Sequence, residues 1–424
     1  MDAVRKELMP GVTLTCVRAT KFKTGLLSAQ LIAPLEEKTA AAGALFPAVL
    51  DRGTTRCPDM ASLSAALDRL YGASAVHTVR KKGENRCLGF VAGFIDDKYA
   101  LAGEKLLEPM AEMLGELLLD PVTRSGRFLS DYVESEKANL IDAIRAVRDD
   151  KRDWADKRML EEMCRGERYG IPLLGTEEGM RRCNNQTLYR FYRTVLQSAQ
   201  VELFYCGSAE MSRVEDALAR PFASLPRGGI VPPVPAERKS APETPRCVVE
   251  HMDVTQGKLA MGFRAESRDI PALMLMNLIF GGYSNSKLFL NVREKLSLCY
   301  YASSSFHRSK SIITVSSGVD FDRFETARDA ILAELAAICR GEIEPWELEG
   351  ARGVLISAIR QQQDSAGYQE DLSLFQAATG LWTDELALMG ELAAVTPDRI
   401  AEAAQSVKLD TVYFLTGQED TAHD

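Results

Sequence analysis

The chain has few of the residues that build metal and disulfide sites. Its 424 residues include only four histidines, His77, His251, His307 and His423, and no two of them stand at ligand spacing. Zinc sites usually combine histidine and cysteine at short spacings, so these histidines predict no metal site. The nine cysteines are scattered singly without a C-x-x-C pair. This pattern favours free thiols in a reducing compartment over a disulfide framework.

Long apolar runs and basic stripes are also missing. No apolar run reaches the roughly 18 residues that cross a bilayer, and the first residues, MDAVRKELMP, lack the apolar stretch of a secretion signal. We therefore expect a cytoplasmic protein without a membrane segment. The net charge of −9, with no basic stripe interleaved with aromatic residues, argues against nucleic acid as a partner. What is present is a hydrophobic share of 46%, ample for the packed cores of two or three domains.

Apolar periodicity and turn residues predict a chain of mixed helices and strands. The predicted strands are residues 12–18, 26–33, 73–80, 87–95, 201–207, 247–253 and 258–265. The predicted helices are residues 39–53, 60–70, 99–119, 128–165, 187–200, one ending near 225, and 271–281. Residues 226–246 are rich in proline and glycine and poor in apolar residues, which indicates a linker.

Two short segments recur at nearly equal offsets. LIDAIR at 140–145 returns as LISAIR at 355–360, an offset of 215 residues (355 − 140). VELFYCG at 201–207 returns as TVYFLTG at 411–417, an offset of 210 residues (411 − 201). A period of this length indicates duplicated domains and not a solenoid.

The stretch GALFPAVLDRGT at 43–54 is the segment on which the functional argument depends. Thr39 is a suitable N-cap for its helix, and Gly53 is a suitable end. Pro47 removes a backbone hydrogen bond inside this helix. We therefore expect a kinked backbone, or a helix that restarts near Phe46.

This layout resembles the start of the insulinase or pitrilysin (M16) family of metallopeptidases, whose inverted zinc motif His-x-x-Glu-His precedes a Gly-Thr. Setting that Gly-Thr on residues 53–54 places the motif on residues 44–48. Ala44 and Ala48 then stand where two imidazoles would hold zinc, and Pro47 stands where a carboxylate would take a proton from the bound water. The resemblance therefore implies that the ligands and the base are absent.

The segment ESEKANLIDAIR resembles the family's second helix, where a Glu seven residues after another Glu completes the zinc sphere. Glu136 matches the first Glu, and the ligand position falls on Ala143. The third ligand is missing as well, so the resemblance implies no catalytic residue, metal or other cofactor in this chain. Without a metal beside it, Glu136 is expected to be a solvated helix residue.

The segment GGYSNSKLFLNVREKLSLCYYASSSF is similar to the family's second-domain pattern, and here the pattern is kept. The resemblance places substrate contacts on Arg293 and Tyr300, with Gly281 and Gly282 offering close backbone approach. Each has a plainer alternative. Arg293 could form a surface ion pair, Tyr300 could pack in a core with Tyr301 as its rival, and the glycines could only end a helix.

The resemblance implies an α+β fold of two homologous M16-type domains, residues 1–225 and 247–424, joined by the linker 226–246. Each domain is expected to be an antiparallel-rich sheet covered by helices. In some family members one subunit carries zinc and the other contributes the Arg and Tyr. We therefore expect a non-catalytic, processing-peptidase-like subunit that contacts unstructured peptides, pairs with a zinc-bearing M16 subunit and can form a homodimer in isolation. The alternatives are a structural or assembly protein and a peptide-binding protein without hydrolysis.

Overall fold

Two β-sheets organise the chain in a computed structural model that describes residues 3–417. The strands of the first half are β1 (Ala3–Met9), β2 (Val12–Arg18), β3 (Thr24–Pro34), β4 (Ser74–Lys82), β5 (Asn85–Ile95), β6 (Thr123–Arg124), β7 (Arg127–Phe128) and β8 (Gln200–Gly207). Those of the second half are β9 (Arg246–His251), β10 (Gly257–Ala265), β11 (Cys299–His307), β12 (Ile312–Val319) and β13 (Val407–Thr416).

Helices cover both sheets. In the first half they are α1 (Ala40–Leu50), α2 (Met60–Asp68), α3 (Leu107–Leu119), α4 (Ser130–Ala146), α5 (Lys151–Met163), α6 (Glu177–Arg182), α7 (Asn185–Ser198) and α8 (Met211–Phe222). In the second half they are α9 (Ile270–Asn277), α10 (Phe324–Cys339), α11 (Pro345–Gln362), α12 (Ala366–Thr379), α13 (Glu385–Ala394) and α14 (Pro397–Gln405). The fold is α+β, as expected.

The two sheets share one strand order, which gives the sequence duplication a structural counterpart. The first sheet runs β1-β2-β8-β3-β5-β4, and the second runs β9-β13-β10-β12-β11. Strand β8 is parallel to β2 and antiparallel to β3. Strand β13 is likewise parallel to β9 and antiparallel to β10. Apart from the extra edge strand β1, the second sheet therefore repeats the first strand by strand.

The compact units interleave along the chain. Unit 1 comprises residues 1–144, 171–235 and 363–382, and unit 2 comprises residues 145–170, 236–362 and 383–424. Helix α5 of the first half thus belongs to unit 2, and α12, its counterpart in the second half, belongs to unit 1. The two predicted domains, residues 1–225 and 247–424 with the linker 226–246, describe the duplicated segments of the sequence and remain a prediction.

Charged side chains attach α12 to the first sheet. Arg80 of β4 binds the buried carboxylate of Glu370 with two hydrogen bonds of 2.6 and 2.7 Å. Lys82 lies 2.6 Å from Asp371, and the Asn85 amide donates to the carbonyl of Ala378 at 2.7 Å. Helix α12, although distant in sequence, is therefore held to this sheet by hydrogen bonds and ion pairs from β4 and β5.

The predicted linker has no helix or strand between Phe222 and Arg246. Its first part is bound to unit 1. Arg227 donates to the backbone carbonyls of Pro10 and Gly11, and Asn85 exchanges two hydrogen bonds with the backbone of Val234. This stretch is therefore irregular in backbone but fixed in place.

Two expected helices differ from the structure, and one strand was not expected. The helix expected from residue 99 begins at Leu107, because extended Ala100 and Gly103, with a φ of +72°, interrupt it. The long helix expected over 128–165 is two helices, and Asp150 starts the second by accepting from the N–H groups of Arg152 and Asp153. Residues 3–9, for which the sequence analysis predicts no element, form the edge strand β1.

Two composition-based observations can be placed on the structure. The nine cysteines lie within the described residues and carry free thiols. Among residues 3–417, no helix has both the length and the apolar content needed to span a bilayer.

Candidate functional site

The motif helix α1 is a core element of unit 1. All of its residues except Ala42 are buried, and Ala44 and Ala48 are only 2% and 4% exposed. Elements α6, α7, β4 and β5 of the same unit pack around it. The two positions that would carry zinc ligands therefore present methyl groups to a packed interior, which offers no donor atom and little space for an imidazole.

Phe46, next to Pro47, anchors this helix in an aromatic cluster. Its ring centroid lies 6.1 Å from that of Phe191 and 5.8 Å from that of Tyr192. Tyr192 in turn contacts Phe128 at 5.5 Å and donates its hydroxyl proton to the carbonyl of Leu118 at 2.9 Å. Burying several aromatic rings at these distances stabilises unit 1 and fixes the position of α1.

Helix α1 continues across Pro47, so of the two alternatives expected there, a kinked backbone or a restart near Phe46, the restart was wrong. Pro47 has no N–H to give to the carbonyl of Gly43. Arg86 occupies the space beside Gly43, since a Cβ added there would lie 2.2 Å from its Nη1. The Arg86 guanidinium donates to the carbonyl of Thr39 at 2.6 Å, and burial lowers its pKa to about 10. This side of the helix is therefore closed by a buried arginine.

Glu136 of α4 is paired and not simply solvated, so that expectation was wrong. Its carboxylate lies 2.9 Å from Nη1 of Arg52 and accepts a 3.1 Å hydrogen bond from Asn139. The Arg52 guanidinium also lies over the ring of Tyr132, 5.0 Å from its centroid. Arg52 comes one helical turn after Ala48. A guanidinium therefore neutralises the acidic residue that the M16 resemblance places beside a metal.

The remaining residues considered for a metal site do not form one. Ala143, at the position of the third ligand, is exposed on α4, two turns beyond Glu136, and has no ligating atom. His77 of β4 bonds through Nδ1 to the carboxylate of Asp51 at 2.7 Å. Within residues 3–417, no three His, Cys, Asp or Glu side chains are grouped to hold an ion. His423 lies outside the described residues.

In unit 2, Arg293 lies in a π-helical segment, Leu288–Lys295, that leads into β11. Its guanidinium stacks over the ring of Phe289, 4.6 Å from the centroid, and lies 3.3 Å from the Glu294 carboxylate. The side chain remains 37% exposed. The expected surface ion pair is thus present, yet a guanidinium has five N–H donors, so some remain for a ligand.

A β-bulge separates Tyr300 from its neighbour. The pairing of β11 with β12 shifts between Cys299 and Tyr301, so Tyr300 is the inserted residue. Tyr300 is 62% exposed, and its hydroxyl donates to Asp320 at 3.2 Å. Tyr301 is partly buried beneath Arg152, whose guanidinium lies 4.2 Å from its ring centroid. Of the two rivals, Tyr300 is therefore the one accessible to a ligand.

The two glycines lie in a second π-helical segment, Leu278–Gly282. Gly281 is buried, and a Cβ there would lie 2.8 Å from the backbone nitrogen of Ser304. This glycine lets the helix approach β11 closely, which is a packing role. Gly282 is exposed, and Tyr283 follows it in extended conformation. Only Gly282 is placed to meet a ligand with its backbone.

Sequence reasoning did not find Arg52 or Asp320. Arg52 is adjacent to the motif helix, and its basic side chain four residues after Ala48 is a usable signal for a charge that replaces a metal. Asp320 follows β12, twenty residues after Tyr300, and only the antiparallel pairing of β11 and β12 brings the two together. No spacing rule predicts that contact.

Comparison with known proteins adds the following findings. A family profile described as "Peptidase M16 inactive domain" matches residues 182–355. The chain is 33% identical over 414 residues, 96% of each chain, to the "Probable inactive metalloprotease YmfF" of Bacillus subtilis. It is 23% identical over 70% of its length, and 73% of the relative, to the "Uncharacterized zinc protease YmxG" of the same organism. A crystal structure of a conserved protein from Enterococcus faecalis matches with a TM-score of 0.92, 26% identity and full coverage of both chains.

Proposed function

We propose that this chain, which belongs to the M16 peptidase family, is the non-catalytic, substrate-contacting subunit of a heterodimeric zinc peptidase. Its substrates would be unstructured peptides. A zinc-bearing M16 partner would supply the metal and the general base. The observation that carries this proposal is an asymmetry: alanines stand at the three zinc-ligand positions, two of them buried, whereas Arg293 and Tyr300 remain exposed.

The first support is the chemistry of unit 1. In a zinc peptidase, hydrolysis needs a metal-activated water and a base. Ala44, Pro47 and Ala48 supply neither, and Glu136 is bound to Arg52. A peptide bond cleaved in the presence of this chain would therefore be cleaved by groups from another chain.

The second support is a surface suited to extended peptides. Strand β4 ends the first sheet, and among residues 3–417 no strand pairs with its outer edge. Val76, on this strand, is 54% exposed. An extended peptide can add to such an edge through backbone hydrogen bonds, with side-chain pockets giving selectivity. In unit 2, Arg293 offers N–H donors to peptide carbonyls.

The third support is the pattern of relatives. Bacillus subtilis has both a relative named as inactive and a relative named as a zinc protease. A pair of this kind is what a heterodimer of one active and one inactive subunit requires. We propose that the partner of this chain is such a zinc-bearing relative, encoded in the same genome. We also propose that the chain can form a homodimer when the partner is absent.

The test is reconstitution. The chain and a zinc-bearing relative from its genome are purified separately, mixed, and assayed with an unstructured fluorogenic peptide. Cleavage should need both chains and should fall with Arg293→Ala. The matched control is Arg340→Ala, which removes an exposed arginine paired with Glu342 and should leave cleavage unchanged. Equal activity of the partner with and without this chain would contradict the proposal.

A structural or assembly role is the second candidate. The observation that favours it is that both contact residues already have partners within unit 2, Arg293 with Glu294 and Tyr300 with Asp320. This role predicts stable association with a partner whose activity is unaffected by Arg293→Ala and Tyr300→Phe. The same reconstitution assay separates the two candidates.

A further inference from the structure

Strand β9 ends the second sheet without the outer neighbour that its counterpart has in the first. In the first sheet, β2 pairs with β1 on its outer side. Strand β9 holds the corresponding place in the second sheet, and among residues 3–417 no strand pairs with its outer edge. Cys247 is exposed and Val249 is 56% exposed, so this edge is open to solvent. There is therefore room beside β9 for one more strand.

The edge of β9 is more regular than the other sheet edges. Soluble proteins protect exposed edges with bulges, prolines and clustered charge. The pairing of β1 with β2 shifts between Glu7 and Met9, that of β11 with β12 is also bulged, and β4 carries three consecutive basic residues at 80–82. Strand β9 pairs with β13 without a shift over its whole length and contains no proline. Its outer edge can therefore accept an extended strand.

Alternate residues of β9 direct their backbone groups to this free edge. Met252, directly after the strand, donates its N–H to the carbonyl of Thr416 in β13 at 3.0 Å. The backbone groups of successive strand residues point to opposite sides, so those of Val248 also face β13. Those of Cys247 and Val249 face outward. These are the groups that a further strand would bond.

Two opposite charges lie four residues apart on the face of β9 that α5 covers. Arg246 donates through Nη1 to the backbone carbonyls of residues 162 and 163. Glu250 accepts from the Trp154 ring nitrogen at 3.2 Å and from the Tyr413 hydroxyl at 2.5 Å. A guanidinium has five N–H donors, and each carboxylate oxygen has two lone pairs. Both side chains therefore keep capacity for a further charged partner at the edge.

A second copy of β9 matches this edge in antiparallel orientation. Outward-facing residues must meet outward-facing residues across the two-fold axis. An axis through Val248 achieves this, because Cys247 then meets Val249 of the second copy and each such pair exchanges two backbone hydrogen bonds. The same axis places Arg246 opposite Glu250, twice. An axis through Val249 would instead set Val248 against Glu250 and lose both charge pairs.

From these observations we infer that a second copy of the chain binds at β9 by antiparallel pairing about Val248. The two five-stranded sheets then join into one of ten strands. An arbitrary extended peptide would satisfy the backbone groups of the edge but not the two charge pairs, so the strand matches itself best. This inference rests on the homodimer proposed above, because it names the surface through which that homodimer forms.

The register determines which thiols can be joined. Val249→Cys places a thiol opposite Cys247 of the second copy, with Cα atoms about 5.5 Å apart, a separation that a disulfide spans. When Val249→Cys is combined with Cys247→Ser, the introduced thiols are diagonal neighbours about 7–8 Å apart, out of reach of a disulfide. The isolated full chain is oxidised and separated on a non-reducing gel. The single variant should give a covalent dimer, and the double variant should remain a monomer.

A second measurement uses sedimentation equilibrium of the isolated chain. Val249→Pro removes an outward N–H at an edge position, where a strand tolerates proline. It should raise the Kd of the homodimer about 30-fold, the size of two net hydrogen bonds. Val249→Thr keeps the N–H and the branched shape, so it is the matched control and should leave the Kd unchanged.

The outcomes separate this inference from the proposed function. If the wild type is a dimer and Val249→Pro dimerises equally well, or if both thiol variants cross-link alike, the inference alone is wrong. If Val249→Pro leaves the homodimer intact but abolishes association with the zinc-bearing relative, the edge binds that relative and the inference is again wrong. If the wild type is a monomer at every concentration, the proposed homodimer is wrong as well, whereas cleavage by the mixture still tests the peptidase role.

Discussion

The carboxylate of Glu136 lies 2.9 Å from the guanidinium of Arg52, one helical turn beyond the position of the second missing histidine. A permanent cation on the chain thus neutralises the acidic residue of α4. A guanidinium pairs with a carboxylate directly and needs no set of ligands to hold it. The charge of Glu136 is therefore balanced by a residue of the same unit.

Restoring the motif should not restore zinc binding. The triple change Ala44→His, Pro47→Glu and Ala48→His forces two imidazoles into sites that are 2% and 4% exposed. Overpacking of this kind costs about 1–3 kcal/mol at each site. The triple variant should unfold at lower urea and bind no stoichiometric zinc by elemental analysis. Ala42→His, at the partly exposed position of the same helix, is the control and should be tolerated.

A buried charge network holds the segment after α5 to the second sheet. Arg264 bonds to Asp410 at 2.6 Å and to Glu167 at 2.7 Å, and Lys310 lies 2.9 Å from Glu167. All four side chains are buried. Arg264→Leu leaves two carboxylates with a single cation and should cost about 3–5 kcal/mol of unfolding free energy, measured in urea.

The control for Arg264 is Arg340→Leu, which breaks an exposed pair with Glu342. Exposed pairs contribute little to stability, so this variant should unfold at the same urea concentration as the wild type. Equal unfolding midpoints for Arg264→Leu and the wild type would show that the network adds nothing to the stability of unit 2.

Asp156 should make stability depend on pH. It lies on α5, and burial raises the pKa of its carboxyl from 3.8 to about 6, against the opposing effects of Ser316 and Arg152. The folded state therefore binds this proton more tightly than the unfolded chain does. Asp156 costs nothing below pH 4, and its cost grows as pH rises and is complete above about pH 6.

Asp156→Asn imitates the protonated acid and should remove that cost. Its unfolding free energy should exceed that of the wild type by about 1–3 kcal/mol at about pH 8, and the difference should vanish near about pH 4. Asp153→Asn, an exposed neighbour on the same helix, is the control. A difference between Asp156→Asn and the wild type that is the same at both pH values would refute this assignment.

The sequence predicted the elements that carry strong local signals. Strand β2 begins and ends where its apolar pattern predicts, and the hairpin of β4 and β5 follows from two strands around KKGEN. The family, the α+β fold and the duplication were also predicted. The recurring segments and the layout of the motif can be recognised directly in the amino-acid sequence. The break before α5 was readable too, since Asp150 is a typical N-cap.

Other features depend on contacts between residues far apart in the chain. The assignment of α5 to unit 2 and α12 to unit 1 follows from packing and not from local propensity. The exposure of Tyr300 depends on a bulge whose register is set by β12. The space beside Gly43 of α1 is filled by Arg86, which lies on β5, more than 40 residues further along the chain. Patterns within one sequence report local preferences, so they do not predict contacts between distant residues such as these.

The most direct test of the account is the zinc content and peptidase activity of the isolated chain, before and after a zinc-bearing M16 relative from the same genome is added. The isolated chain should contain no stoichiometric zinc and should not cleave an unstructured peptide. The mixture should cleave it, at a rate that Arg293→Ala lowers. Stoichiometric zinc in the isolated chain, or cleavage by it alone, would contradict the central claim.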